Sequence, residues 1–280
     1  MLRQRVITAL VLLAVLLPAL FATVAWPFAA IALVAVAAAG WEWARLNGLP
    51  GAGAVAYGAV LAGLCVATWA AGASTATPPT LWWMALLAWV IGGALVLRRG
   101  VGGWPLLPRA LRAATGLLLL WLTWLALSNA RQAGVAFLLS VLCIVWAADI
   151  AAYFGGRAFG RRKLAPAISP GKSWAGAWSG LAGALLLALA WWASDRALAL
   201  PADGASWFTQ VAGRIGVAGM LLATAFLAAM SIVGDLFESL VKRSAGAKDS
   251  SRLLPGHGGV LDRIDALLPV LPLALALASL

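Results

Sequence analysis

The side chains that could do chemistry gather in one short stretch of this sequence, residues 239–265, which reads SLVKRSAGAKDSSRLLPGHGGVLDRID. This signature stretch holds the chain's one histidine, His257, among several Lys, Arg, Asp and Ser residues. Carboxylates with few other ligand types beside them favour a hard cation such as Mg²⁺. The two cysteines, Cys65 and Cys143, lie in apolar runs with no CxxC spacing. We therefore expect small buried thiols there and no protein zinc site.

Most of the acidic residues lie in the second half of the sequence: Asp149, Asp235, Glu238, Asp249, Asp262 and Asp265. The first three fall on apolar segments, where a carboxylate is costly and needs a cation, a basic partner or water. An interhelical salt bridge is the alternative to a metal site for each of them, and Glu238 has Lys242 one helical turn further on. Asp262 and Asp265 are three residues apart, so one helical face can carry both.

A second polar cluster contains the sequence Ser-Pro-Gly-Lys-Ser at 169–173. Its GKS resembles the end of a P-loop, but that motif needs a glycine where Pro166 stands and a preceding strand, which we do not predict. We expect a turn that opens a membrane helix, whose free N–H groups would face an anion. Lys172 would add a charge and Ser173 a hydroxyl. The alternative is that Ser169 or Ser173 only caps the helix.

Membrane helices must position these residues. The chain has 280 residues, 64% hydrophobic and 10% charged, so a water-soluble fold could not bury its apolar surface. Several segments exceed the roughly 18 apolar residues that mark a membrane span. We predict an all-α polytopic membrane protein in a single domain (1–280), with N-terminal membrane helices in 1–130 and the catalytic region in 131–280.

Nine spans are predicted, the last of them short enough that eight is an alternative. They lie at about 6–25, 26–44, 52–72, 79–97, 110–128, 134–155, 174–193, 211–237 and 266–280. The first also resembles a signal peptide because Arg3 and Arg5 precede it. Its apolar run is long for that role and no A-x-A site follows, so we interpret it as a span.

The basic residues predict the orientation. With the N-terminus in the cytoplasm, all but Arg131, Arg196 and Arg214 of the 20 Lys and Arg residues face the cytoplasm. Asp195 and Asp203 then lie in an outside loop, and Glu42 ends the second span. The net charge of +11 is mostly a consequence of this topology, and nothing in the sequence indicates nucleic-acid binding.

The signature stretch resembles that of the phosphatidate cytidylyltransferases, also called CDP-diacylglycerol synthases. The matching residues are Ser239, Lys242, Arg243, Lys248, Asp249, Pro255, His257, Gly258, Gly259, Asp262, Arg263 and Asp265. The upstream region resembles the same family through Asp149, Tyr153, Gly155-Gly156-Arg157 and Ser169-Pro170-Gly171-Lys172-Ser173-Trp174. Ala175 departs from the family, in which many members have Glu or Gln there.

The resemblance implies that CTP and phosphatidic acid react at the cytoplasmic membrane face to give CDP-diacylglycerol and pyrophosphate. It implies Mg²⁺, with a second cation as an option, and a multi-pass protein of the bacterial cytoplasmic membrane that forms a homodimer. The implied metal ligands are first Asp235 and Asp262, then Asp265 and Asp249, with Asp149. The triphosphate and the lipid headgroup would be bound by Lys172, Ser173, Lys242, Arg243, Lys248 and Arg263, with Ser169, Gly171, Gly258 and Gly259 allowing close approach to phosphate.

His257 lies between Gly256 and Gly258, in a loop. A phosphate monoester has a second pKa of about 6, so the nucleophile is ionised at neutral pH and needs no base. We expect His257 to donate a hydrogen bond to phosphate, with a structural role in the loop or a general base as alternatives. The alternative functions are a CDP-archaeol synthase, a polyprenol kinase, or a transporter that uses its intramembrane carboxylates.

Overall fold

A computed structural model describes residues 2–49, 51–74, 77–199 and 204–280, and this part of the chain is almost entirely helical. Asp203 lies outside the described residues, as do the side chains of Arg3 and Arg5. The helices are α1 (Leu2–Leu20), α2 (Trp26–Leu46), α3 (Ala52–Ala70), α4 (Pro79–Leu87), α5 (Ala94–Gly103), α6 (Arg109–Ala133), α7 (Val135–Phe159), α8 (Trp174–Ala197), α9 (Trp207–Ser244), α10 (Leu261–Ile264) and α11 (Leu267–Ala278). A π-helical segment, Ala88–Gly93, joins α4 to α5, and the strands β1 (Lys163–Ala165) and β2 (Ser169–Ser173) form a hairpin before α8.

The all-α polytopic fold is confirmed. Among the described residues, seven helices are long and apolar enough to cross a membrane: α2, α3, α4 continuing through α5, α6, α7, α8 and α9. The apolar part of α1, Val6–Leu20, is shorter, and α11 has 12 residues, a length of about 18 Å against a hydrocarbon core of about 30 Å. The structure thus supports seven of the nine predicted spans by length and composition.

The two ends of α2 mark two opposite poles of the structure. At one pole, Trp104 Nε1 donates to Asn47 Oδ1 over 2.9 Å, and the signature stretch lies there too, because its Ser250 binds the end of α2. At the other pole, Arg131 Nη2 donates to the Ala22 carbonyl over 2.5 Å. We call these the signature pole and the opposite pole. That the signature pole faces the cytoplasm stays a prediction from the basic residues.

Small residues bring α7 and α8 into close contact. A Cβ added at Gly180 would lie 2.8 Å from the Ala148 carbonyl oxygen, and one at Gly176 would lie 3.0 Å from that of Ala152. Backbones that approach this closely allow good van der Waals packing, the main attraction between helices in lipid. The packing fixes the relative position of Asp149 on α7 and the start of α8.

Candidate active site

The segment 169–173 carries Lys172 into the site as part of a strand. The prediction of a turn here is wrong, because these residues form β2, paired antiparallel with β1 through Lys163 and Ser173. Pro170 is tolerated since a two-stranded ribbon leaves one edge of each strand without ladder hydrogen bonds. β2 then runs directly into α8 at Trp174.

Ser173 caps α8. Its Oγ accepts a hydrogen bond from the Gly176 amide over 3.1 Å, and the side chain is buried. This is the capping alternative, in which the hydroxyl satisfies one of the free amides of the first turn. Ser169 is half-buried and Gly171 is exposed. The roles of all three toward phosphate stay predictions.

Lys172 forms an ion pair with Asp235 of α9, with 2.7 Å between Nζ and Oδ2. The other oxygen of Asp235 accepts a hydrogen bond from Ser239 Oγ over 3.2 Å. The pair lines a cavity of about 790 Å³ between α7, α8 and α9, whose other polar residues include Asp149 and Arg157. Most of the remaining lining is apolar, so the cavity has a charged part and a greasy part.

Lys242 lies between two carboxylates. Its Nζ is 2.5 Å from Glu238 Oε2, one turn earlier on α9, and 2.6 Å from Asp262 Oδ1 on α10. The predicted partnership with Glu238 is confirmed. Glu238 is fully buried, and apart from this ion pair neither of its oxygens has a hydrogen-bond partner among the described residues. The Lys242 ammonium is therefore engaged by two protein carboxylates, and its pairing with Asp262 was not predicted from the sequence.

Asp262 organises the loop between α9 and α10. It accepts hydrogen bonds from the backbone amides of Ser250 and Gly259, at 3.0 and 2.7 Å to Oδ2, and from Ser250 Oγ at 3.0 Å. Burial alone would raise the pKa of Asp262, but the hydrogen bonds from Lys242 and Gly259 outweigh it and hold the pKa below its usual range. The charged Asp262 carboxylate thus holds two parts of the loop together through the hydrogen bonds that it accepts from Ser250 and Gly259.

The remaining predicted metal ligands are arranged differently. Asp265 is half-buried, and burial together with the charge of Asp235 raises its pKa to about 7. Asp149 is exposed and interacts electrostatically with Lys172 and Asp235. Within the described ranges, no group of three His, Cys, Asp or Glu residues is arranged to hold a metal. The metal-binding roles of these residues and of Asp249 therefore stay predictions.

The loop that carries His257 is held by its own backbone. The His257 carbonyl accepts from Arg263 Nη2 over 2.5 Å, and the His257 amide donates to the Leu254 carbonyl over 2.8 Å. The ring Nδ1 is buried and has no hydrogen-bond partner in the part of the chain that the structure describes. Lys248, Asp249 and Arg243 are exposed beside this loop or at the end of α9.

The loop glycines are needed for two different reasons. Gly256 and Gly258 adopt φ values of +76° and +87°, which favour glycine. Gly259 does not, but a Cβ there would lie 2.5 Å from Glu42 Oε1 and closer still to Ser250 Oγ. Close approach, rather than a positive φ, excludes a side chain at position 259.

Glu42 is a candidate-site residue that sequence reasoning missed. It lies near the end of α2, is fully buried, and accepts hydrogen bonds from the signature stretch, more than 200 positions away. Its place near the end of a predicted span was the one available signal, because a carboxylate there needs a partner.

Comparison with known proteins places this geometry in context. The profile of the cytidylyltransferase family matches residues 3–280. A phosphatidate cytidylyltransferase of Pseudomonas aeruginosa is 42% identical over 286 residues, an alignment covering 99% of this chain and 97% of that protein. Those of Haemophilus influenzae and Bacillus subtilis are 47% and 36% identical over 139 and 157 residues, covering 50% and 56% of this chain and 44% and 52% of theirs.

Proposed function

The chain belongs to the cytidylyltransferase family, and from that membership we propose that it transfers the cytidylyl group of CTP to phosphatidic acid. The products are CDP-diacylglycerol and pyrophosphate. The observation that carries the proposal is the Lys172–Asp235 ion pair in the wall of a cavity that is otherwise mostly apolar. A site that places charge beside apolar surface suits a lipid whose headgroup is a phosphate.

The reaction needs positioning more than proton transfer. A phosphate oxygen of the lipid forms a bond to the α-phosphorus of CTP, and the bond from that phosphorus to the oxygen bridging to the β-phosphate breaks. The electron pair of the broken bond leaves with pyrophosphate. Because the attacking phosphate monoester is ionised near neutral pH, alignment and charge neutralisation supply the catalysis.

The basic residues divide into two groups by their contacts. Lys172 has three N–H donors and gives one of them to Asp235, so two remain for phosphate oxygens. Arg243 and Lys248 are exposed and suited to bind the triphosphate. Lys242 is instead held between two carboxylates, so its role is to join α9 to α10. His257, whose Nδ1 is buried, would donate one hydrogen bond to a phosphate oxygen.

Mg²⁺ fits the chemistry of the donors at Asp235. Carboxylate and hydroxyl oxygens are the ligands this ion prefers, and Asp235 lies beside Ser239 and within electrostatic range of Asp149 and Asp265. We propose that Asp235 would hold the ion, with Asp149, Asp265, Asp262 and Asp249 as the candidates for its further ligands and a second cation as an option. When bound, the ion would neutralise charge on the phosphates.

The family supplies the setting of the reaction. This is a multi-span membrane protein with bacterial relatives, and we place it in the bacterial cytoplasmic membrane with the signature pole on the cytoplasmic side. CTP would then reach the site from the cytosol, and the acyl chains would stay in the bilayer. A homodimer is the expected assembly, by family resemblance alone.

Incubation of the purified protein with phosphatidic acid, Mg²⁺ and CTP labelled at the α-phosphorus tests the proposal. Lipid extraction should recover the label, whereas CTP labelled at the γ-phosphorus should leave the lipid fraction unlabelled. The reverse pattern would indicate a kinase, and preference for an archaeal ether-lipid acceptor would indicate a CDP-archaeol synthase. Asp235→Asn should lose the transfer, and Asp195→Asn, at the opposite pole, is the matched control.

A further inference from the structure

Glu42, in the first half of the chain, makes the contact that seats the catalytic loop. We propose that it is a positioning residue, which acts by holding residues 250–261 against the end of α2. The proposal rests on the proposed function, because the loop matters only if the signature stretch is catalytic. It assigns a task to the end of α2, in the N-terminal half of the chain.

Four donors converge on this carboxylate. The Val260 amide donates to Oε1 over 3.0 Å, and the Leu261 amide donates to Oε2 over 2.7 Å. Ser251 Oγ donates to Oε1 over 2.5 Å, and Ser250 Oγ lies 3.1 Å from Oε2. The Glu42 side chain is fully buried. Each oxygen thus receives one backbone N–H and lies beside one loop hydroxyl. The single proton of Ser250 Oγ points either to Glu42 or to Asp262, whose Oδ2 is 3.0 Å away.

Only a carboxylate satisfies this arrangement. Backbone amides can donate but not accept, and they approach both oxygens of Glu42, at Val260 and Leu261. In Glu42→Gln one oxygen becomes an NH₂ group, which would face one of these amides donor to donor, and a buried donor without an acceptor is expensive. The backbone at Gly259 comes close to the same carboxylate, since a Cβ added there would lie 2.5 Å from Glu42 Oε1.

Ser250 connects Glu42 to Asp262 in the candidate active site. Its hydroxyl lies 3.1 Å from Glu42 Oε2 and 3.0 Å from Asp262 Oδ2, and Asp262 in turn binds Lys242. The neighbouring Trp43 stacks on Phe237 of α9, with ring centroids 6.0 Å apart. Two consecutive residues of α2 therefore hold the loop and the catalytic end of α9 in one arrangement.

Limited proteolysis tests, without an activity assay, whether Glu42 anchors residues 250–261; we call this contact the anchor. Lys248 and Arg252 are exposed, and trypsin cleaves after both residue types, so cleavage at these sites reports loop opening. In full-length Glu42→Gln, cleavage at these two sites, mapped by mass spectrometry, should accelerate about 10-fold or more, because one anchoring hydrogen bond is lost and one repulsive contact is gained. Asp195→Asn is the matched control.

Asp195 is a suitable control because it is also a buried, hydrogen-bonded carboxylate, and it lies at the opposite pole. It is buried and accepts hydrogen bonds from the Ser206 amide and hydroxyl and from Thr209 Oγ1. Its amide variant should lower thermal stability without changing loop cleavage. Equal acceleration in both variants would mean that global stability, not the anchor, controls the loop, and would overturn the proposal.

Kinetics test the consequence for catalysis. Glu42→Gln should lower kcat/KM for CTP about 10- to 100-fold, as small misplacements of catalytic groups do, at a temperature where the protein stays folded. Ser251→Ala removes one donor and leaves the carboxylate, so it stays informative if Glu42→Gln does not fold. Ser251→Ala should lower kcat/KM for CTP several-fold in the otherwise wild-type protein. The same substitution should have little further effect on kcat/KM in the Glu42→Gln variant.

The outcomes separate the anchor from the reaction. Wild-type protein that transfers no cytidylyl group refutes the proposed function, while the cleavage rates still test the anchor. Faster cleavage in Glu42→Gln with an unchanged kcat/KM would show an anchor without a positioning role, and that result overturns the inference. Additive losses in the Ser251→Ala pair would overturn the direct coupling.

Discussion

Lys242→Met separates a structural lysine from a phosphate-binding one. The family resemblance implied that Lys242 binds the triphosphate or the lipid headgroup, whereas the structure places its ammonium between Glu238 and Asp262. Methionine keeps much of the length and removes the charge. If the contacts describe its task, the variant should lose stability first and activity as a consequence.

The structure indicates where the cost falls. Asp262 keeps its hydrogen bonds from Ser250 and Gly259 after the change, whereas Glu238, fully buried, keeps none among the described residues. Removing one partner of a buried ion pair costs about 3–5 kcal/mol, most of it from the charge left uncompensated. We therefore expect a loss of this size, arising mainly at Glu238.

A second substitution makes the reasoning testable. Glu238→Gln removes the stranded charge, so the Lys242→Met/Glu238→Gln double variant should recover more than half of the lost stability. The measurement is reversible unfolding in mixed micelles, with Asp195→Asn as the control for a carboxylate change elsewhere. Wild-type-like stability in Lys242→Met, with a raised and salt-sensitive KM for CTP, would refute the structural role and restore the lysine to the triphosphate.

Three further predictions follow from the site. Asp235→Asn should abolish transfer while the protein still inserts, since it removes the charge that would hold Mg²⁺, and near-normal activity would move the metal to other carboxylates. Topology reporters fused after Arg99 or Lys172 should report a cytoplasmic location. A reporter fused near Ala202, which is outside the described residues, should report an external location. Opposite results at both kinds of site would reverse the predicted topology. His257→Gln should retain measurable activity, about 10²–10³ below wild type, without a new need for alkaline pH. A rate that climbs about tenfold per pH unit through neutrality would make His257 the base.

The fold was predictable because its causes are local. Runs of apolar residues long enough to span a bilayer leave no structure but the helix, since lipid offers no partner to a backbone amide. What the sequence did not settle was the status of the short end segments. Hydropathy marks residues 266–280 as apolar, but α11 has 12 residues and packs against α4, α6 and α9. A helix buried in the protein and a helix that spans the lipid bilayer can have the same apolar composition, so composition alone does not distinguish them.

The candidate site was predictable in its membership and not in its pairings. Spacing on one helix found the Glu238–Lys242 contact, because residues four apart share a face. The pairing of Lys172 with Asp235, and of Lys242 with Asp262, joins elements whose relative position depends on helix packing. The hairpin at 163–173 was also missed, because two short polar strands have no apolar alternation to reveal them.

Glu42 shows why a contact of this kind escapes sequence reasoning and why it matters. Its donors are backbone amides and serine hydroxyls, which every loop has, so no complementary charge marks the partner. A basic partner would have bound by charge and tolerated several geometries. Amide hydrogen bonds are directional, so they form in only one conformation of the loop. The buried Glu42 carboxylate stabilises that conformation, because both of its oxygens need hydrogen-bond donors. Such a contact specifies geometry, and phosphoryl transfer by positioning needs geometry most.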